Sequence, residues 1–293
     1  MKEFENTIVS NTSIEKVLPS EPLNGDRNPG IPALAEFRTE TSSDRRIPFS
    51  GFLTNNLLAG LPGPDFARLL PHLEPVSLFA GREVYGLGDF ATHAYFPETA
   101  VITHLYLLAD GSTTSAAIIG RDGMIGLSAI LESSPQSYAT QIAITGDALR
   151  IELEALKEEF ARGRALQQIL LSYTSCRLAQ LSQKAVCNGR HKLDERLCTW
   201  LLMVHDRADQ DRLPLTHELM AHHLGARRAG ITDTCNSLRR DGIIHYRRGI
   251  IRILNRGLLE AAACECYPAF RQISQHIIAP QVTRYVEKFR IVS

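Results

Sequence analysis

Residues 215–254 read LTHELMAHHLGARRAGITDTCNSLRRDGIIHYRRGIIRIL, and few folds accept that order of signals. Thr216 stands where an N-cap hydroxyl would satisfy first-turn amides. Leu219, Met220 and Leu224 give the short helix after it an apolar face, and Ala221 is small, as a close helix crossing requires. Gly225 supplies a tight turn. In the next helix Ile231, Cys235 and Leu238 recur at spacings of four and three, so one face packs and the other stays free. Asp241-Gly242 then turns the chain into two β runs, residues 243–246 and 250–254, hinged on Arg247-Arg248-Gly249. Helix, turn, helix and hairpin in this order make a winged helix-turn-helix.

Charge concentrates on the same segment. Residues 214–255 hold seven Arg against three acids. Arg227 and Arg228 open the second helix, the end that enters the major groove in this motif, and Arg239 and Arg240 close it. Arg247 and Arg248 lie at the tip of the wing, where phosphate oxygens would be met. The whole chain, 293 residues long, has 32 basic and 32 acidic side chains. That balance hides an asymmetry: residues 1–150 hold 10 Lys and Arg against 17 Asp and Glu, whereas residues 151–293 hold 22 against 15. A basic C-terminal half expects an anionic partner.

The rest of the chain has two textures. From about residue 75 to 152, short β-rich runs (84–85, 101–107, 141–144) alternate with turn signals at Gly81, Gly86, Gly88, Asp110-Gly111, Asp122-Gly123 and Gly146-Asp147. Many short, evenly spaced strands predict a small antiparallel barrel or sandwich. Residues 52–72 predict two short helical pieces broken by Gly60, Pro62, Gly63 and Pro64. Residues 152–187 turn helical again, with Leu166, Ile169, Leu170 and Tyr173, then Leu178, Leu181 and Ala185, on a stripe suited to a dimer seam or to packing on the barrel. A further helix is expected after Asn188-Gly189. Residues 1–48 mix Asn, Ser, Thr, Pro, Glu and Arg without a period and are expected to form a mobile polar extension.

Several chemistries are disfavoured. No apolar run approaches the roughly 18–20 residues of a membrane span. The first residues carry acids and no apolar core of a secretion signal, so a cytoplasmic protein is expected. The six cysteines, Cys176, Cys187, Cys198, Cys235, Cys264 and Cys266, all lie in the C-terminal half and are expected to be reduced. Only Cys264-x-Cys266 is close-spaced, without a second pair at zinc-finger spacing, so no metal site is expected. His93 and Glu98 lack the His-x-His partner of a barrel metal motif, because residue 95 is Tyr, and His222-His223 diverge by about 100° on a helix. No nucleophile–base arrangement or phosphate-cradling loop stands out, and no enzyme is expected.

Barrel, long helix, then LGARR and LRRDGIIHYRRG together resemble the Crp/Fnr family of bacterial transcription regulators, over about residues 52–268. The resemblance implies an α+β fold: a cyclic-nucleotide-binding-like β-roll (jelly roll) over residues 49–160, a dimerisation helix over 161–190 and the winged helix-turn-helix over 191–270. Residues 271–293 would form a tail, expected to be helical. It further implies a cytoplasmic homodimer that binds a near-palindromic site in double-stranded DNA and works with RNA polymerase. The expected DNA-facing set is Thr216, Arg227, Arg228, Ala229, Thr232, Asp233, Asn236, Arg239, Arg240, Arg247 and Arg248. A barrel that binds a small molecule or a metal, with a winged helix used for protein contact, is the alternative.

The departures narrow the expectations. The family's cyclic-nucleotide pocket pairs a Gly with a Glu and places an Arg about ten residues later. Here Gly126 is followed by Leu127, the later position is Ser137, and no Arg falls between Arg121 and Arg150. Without a counter-cation a phosphate would be desolvated unassisted, so cyclic AMP in the usual mode is not expected. A remodelled effector pocket around Gly126, Leu127, Ser128, Ser137 and Tyr138 is expected instead, for an unknown effector. Iron–sulfur members use N-terminal cysteines, and this chain has none before Cys176. Where well-studied members read DNA with Arg, Glu and Arg, this chain presents Arg228, Ala229 and Asp233, so its operator should differ.

Overall fold

The computed structural model describes residues 53–275, apart from 110–112, 133 and 209. The expected extension over 1–48 and most of the expected tail lie outside the described residues; residues 271–275 of that tail are helical. Everything described belongs to one compact unit.

Two short helices come first, α1 (Asn56–Ala59) and α2 (Gly63–Leu69), followed by a single turn of 3-10 helix at Leu70–His72. The buried Asn55 side chain caps α1, accepting from Leu57 N and Leu58 N, while its amide donates to the carbonyls of Pro97 and Gly123. The strands follow: β1 (Glu74–Leu78), β2 (Glu83–Tyr85), β3 (His93–Pro97), β4 (Val101–Leu107) and β5 (Thr113–Ile119). After α3 (Leu127–Leu131) come β6 (Ala139–Ile144) and β7 (Gly146–Glu152). They pair antiparallel into a three-stranded sheet, β1-β7-β3, and a four-stranded sheet, β2-β6-β4-β5. Gly146-Asp147, expected as a turn, instead begins β7 opposite Ser77 and Leu78. A Cβ at Gly146 would collide with the backbone of Thr99 and Ala100, so close backbone approach is what requires this glycine.

Period-two alternation divides each strand between two cores. Ile102, Ile119 and Ile142 point into the roll with Tyr85 and Ile125. Their neighbours Val101, Ile118 and Ala143 point out of the four-stranded sheet, into a core shared with the C-terminal half.

Helix α4 (Leu153–Ala161) ends at Gly163, whose φ of +67° releases the chain into α5 (Ala165–Arg190). This 26-residue helix runs through Asn188-Gly189, where a break was expected, and stops before His191. Leu166, Ile169, Leu170 and Tyr173 are buried in a core with Leu57, Phe96, Met124 and Leu156. These four pack against the helix's own roll and cannot form a free dimer seam, whereas Leu178, Leu181 and Ala185 of the expected stripe are exposed. Leu178 and Ala185 fall on an open stripe. Leu171, Ser175, Leu178, Ser182 and Ala185 recur at spacings of four and three, all exposed and uncharged.

Beyond the His191–Lys192 break lie α6 (Leu193–Ala208), β8 (Arg212–Leu213), α7 (His217–Leu224) and α8 (Arg228–Arg240). Strands β9 (Ile244–Arg247) and β10 (Ile250–Ile253) and helices α9 (Arg256–Ala261) and α10 (Cys266–Gln275) complete the chain. The wing sheet has the order β8-β10-β9. Helix α6 lies on the outside of the roll. There the buried Arg207 guanidinium holds Asp122 through Nε to Oδ1 at 2.9 Å and Nη2 to Oδ2 at 2.5 Å. Among the described residues no helix is long and apolar enough to cross a membrane.

Two outcomes follow from this packing. Asp122→Ala leaves a buried guanidinium unpaired and should cost about 3–5 kcal/mol in denaturant unfolding, whereas Asp122→Leu combined with Arg207→Met should recover most of it. His223, 2% exposed and stacked on Trp200 at 4.8 Å, has neither ring nitrogen hydrogen-bonded. Burial, with help from Lys184 and His222, lowers its pKa from 6.5 to about 3. Between those values the unfolded chain binds the extra proton, so stability should fall with falling pH, by about 1.4 kcal/mol per unit for this group. Unfolding of His223→Phe from pH 7 to 4.5 should show a correspondingly shallower decline.

Candidate nucleic-acid interface

The Thr216 hydroxyl accepts from Leu219 N at 3.1 Å and starts α7. Gly225 ends it in the left-handed region at φ +56°, returning its N–H to the carbonyls of Ala221 and His222. Helix α8 buries Ile231, Cys235 and Leu238, which turns Arg228, Ala229, Asp233, Asn236, Arg239 and Arg240 to the exterior. Gly230 fits the close crossing with α6: a Cβ there would meet Leu193 Cδ2 at 3.0 Å.

Arg227, itself exposed, occupies the N-cap of α8 without a side-chain cap, and the first turn holds no acid. The free amides and the positive end of the helix dipole therefore face outward together. Thr232 is half-buried, and its hydroxyl donates to Arg228 O at 3.0 Å and lies 2.9 Å from His217 Nδ1. The His217 ring stacks on Tyr246 of β9, centroids 4.2 Å apart. Desolvation first, and Arg228 second, lower the His217 pKa, which favours the neutral ring in this bridge. His217 and Tyr246 thus tie the exposed helix to the wing. Sequence reasoning missed them because the pair becomes adjacent only when β9 folds back beside α7.

Arg247 pairs with Ile250, leaving Arg248 and Gly249 as a two-residue turn with φ values of +50° and +76°. Two successive positive φ values fit the type I′ hairpin, which follows the strand twist and favours Gly or Asn. Here an arginine occupies the first position. Thr216 sits beside this turn, since a Cβ at Gly249 would come within 3.5 Å of its Cγ2. Arg227, Arg228, Arg239, Arg240, Arg247 and Arg248 are all exposed, and among the described residues none of them forms an ion pair.

The expected effector pocket is not gathered in the same way. Gly126, at φ +91°, is pressed against His93 O and Ala94, and Leu127 begins α3 half-buried. Ser128 is 3.5 Å from the buried Gln136, which sequence reasoning passed over, and Ser137 points to solvent. Tyr138 turns to β4, stacking on His104 at 4.0 Å and touching Tyr106 at 5.5 Å. Burial, aided by Arg177, lowers the His104 pKa to about 3. The five residues do not form one lining, because Ser128 bonds with Gln136 while Tyr138 joins the β4 rings.

A family model for the Crp-like helix-turn-helix domain matches residues 195–262. None of the curated proteins matches the chain. Among solved structures, the fold is similar to a putative Crp/Fnr-family transcriptional regulator from Eubacterium rectale, with 20% identity and a TM-score of 0.56, covering 71% of this chain and 98% of that one. FixK2 from Bradyrhizobium japonicum is 21% identical with a TM-score of 0.56, over 66% and 98% of the two chains. The c-di-GMP-responsive global regulator CLP of Xanthomonas campestris is 16% identical with a TM-score of 0.53, over 66% and 100%. Residues 195–262 are a Crp-like helix-turn-helix domain. The roll, the long helix and that domain together share the fold of these Crp/Fnr-type structures.

The wing of this helix-turn-helix domain separates stability from binding. Arg248→Gly removes a left-handed arginine and should stabilise the isolated chain by about 0.5–1 kcal/mol. The same variant should bind DNA more weakly at every sequence, read by thermal melting and by titration of a fluorescent duplex.

Proposed function

We propose that this chain is a homodimeric, sequence-specific regulator that reads a near-palindromic site in double-stranded DNA. The observation that carries the reading is the placement of six exposed arginines, without ion pairs among the described residues, at three points: the two ends of α8 and the wing tip. Arg228 has the reach and geometry for a guanine edge, and the Ala229 methyl suits a thymine methyl. Asp233 suits a cytosine amino group, and Asn236 can face an adenine. Arg227, Arg239, Arg240, Arg247 and Arg248 take phosphates, with Thr216 beside the wing.

Dimerisation is assigned to the uncharged stripe of α5, in which Leu171 is 49% and Leu178 63% exposed. Two such stripes paired about a two-fold axis leave the α8 helices related by that axis and the half-sites about one DNA turn apart (~34–36 Å). The dimer works in the cytoplasm and engages RNA polymerase at its promoters. The roll responds to an effector other than cyclic AMP bound in the usual mode: Leu127 offers no carboxylate to a ribose, and Ser137 offers no cation to a phosphate. The aromatic group of His104, Tyr106 and Tyr138 makes a flat or apolar effector the better fit.

Selection of bound sequences from a random duplex pool tests the reading. The expected result is an enriched palindrome with half-sites about one turn apart; salt-sensitive binding without enrichment, both with and without cell-extract small molecules, would overturn it. Arg228→Glu should abolish the preference without unfolding the chain. Arg247→Ala with Arg248→Ala should weaken all sequences alike and flatten the salt dependence by about one unit of slope for each phosphate left unneutralised. Leu178→Glu should leave a folded monomer in sedimentation with no preference for palindromes over half-sites.

A further inference from the structure

Three of the six cysteines converge on one histidine at the break between α5 and α6. Cys187 comes from the last turn of α5, His191 lies in the break itself, Cys264 lies in the connection from α9 to α10, and Cys266, just past Glu265, begins α10. Their ligand atoms all lie within 4.8 Å of one another. Cys187 Sγ is 3.6 Å from Cys264 Sγ, and Cys266 Sγ is 3.5 Å from His191 Nδ1. The three thiols are buried, and the His191 side chain is 12% exposed.

These distances fit a chemistry. With Zn–S near 2.3 Å and Zn–N near 2.0–2.1 Å, a tetrahedral site has ligand-to-ligand edges of about 3.5–3.8 Å. Both of those edges match, and the longest needs a closure of about 1 Å to reach the same value. A disulfide would instead hold two sulfurs about 2.0 Å apart.

The surroundings agree. His191 Nε2–H donates to Glu265 Oε2 at 3.0 Å, which leaves the Nδ1 lone pair facing Cys266. A carboxylate on the far ring nitrogen is the usual orienting partner of a metal-bound imidazole. Gln183 Nε2 donates to Cys266 Sγ at 3.1 Å. The Thr199 hydroxyl accepts from Cys264 N at 3.2 Å and lies 3.0 Å from Cys264 Sγ, free to donate to it. Donors aimed at two sulfurs suit thiolates better than neutral thiols filling an apolar core.

We propose that Cys187, His191, Cys264 and Cys266 bind one zinc ion. The four ligands close the tetrahedron and leave no open position, so the ion clamps and does not catalyse. It joins the end of α5, the α5–α6 break and the α9–α10 connection, and thereby sets the angle between the long helix and the DNA-binding half. That last consequence rests on the DNA-binding reading; the site does not.

The test uses the full chain purified under reductant from zinc-supplemented culture. Elemental analysis should find one zinc per chain, and cobalt(II) added to the stripped protein should give intense tetrahedral d–d bands with thiolate charge-transfer absorption. Cys264→Ser and Cys266→Ser should lose both signals, and Glu265→Gln should weaken retention about ten- to hundredfold against a chelator. Cys176→Ser, outside the cluster, should keep them, with circular dichroism reporting the fold of each variant. A folded wild-type chain with neither zinc nor cobalt bands overturns the proposal, as does a Cys187–Cys264 disulfide or an iron–sulfur spectrum in fresh protein. Zinc removal should also abolish the preference for the selected operator. Stoichiometric zinc whose removal leaves that preference unchanged would overturn the clamp while the site stood.

Discussion

A 26-residue helix is about 39 Å long, whereas the longest strands of the roll span about 23 Å, so α5 cannot be satisfied by the roll alone. Its first half is committed, with Leu166, Ile169, Leu170 and Tyr173 fully in the core of the roll. Its second half still touches the roll, Lys184 donating to Ser115 O of β5 at 2.6 Å, and its last turn meets the C-terminal half, Cys187 joining Cys264 and Cys266. The rest of the arrangement follows from that excess length. One helix face holds the roll, its last turns hold the helix-turn-helix half, and a third, uncharged stripe is left over.

The DNA-binding half is correspondingly not a pendant. Val101, Ile118, Ala143 and Ile144 of the roll share a core with Trp200, Leu201 and Leu224. Thr114 Oγ1 donates to His222 O at 3.2 Å, directly beneath the turn before α8. Gly120 admits Arg207, whose Cβ would stand 2.7 Å from a Cβ at that position. A change in the β4–β5 region therefore has a short physical route to α7, through packed side chains and one buried ion pair.

What is legible in the sequence is local. The α7–turn–α8–wing order can be read because each of its signals, the Thr216 cap, the Gly225 turn, the Ile231–Cys235–Leu238 stripe and the Arg248-Gly249 turn, acts within a few residues. The features that escape sequence reasoning are all of longer range. The stripe at Leu166, Ile169, Leu170 and Tyr173 is visible, but periodicity cannot say which surface a stripe meets. Leu178 and Ala185 are visible too, but only the fold shows that they share an open face with Leu171, Ser175 and Ser182 and not with the buried residues. Gly146 reads as a turn until Ala100 is known to lie against it. Cys187 and Cys264 are 77 residues apart, so no spacing rule could join them.

Gly126 shows why a matched residue can survive the loss of the chemistry around it. Its φ of +91° and its contact with His93 O and Ala94 belong to the way α3 is launched from beside β3, where a Cβ would come within 3.1 Å of that carbonyl. Those demands come from the backbone and hold whether or not a nucleotide is present. Leu127 and Ser137, by contrast, make no such backbone demand: Leu127 begins α3 half-buried and Ser137 is exposed. A glycine at this turn therefore testifies to the roll, while the side chains beside it testify to what the roll binds.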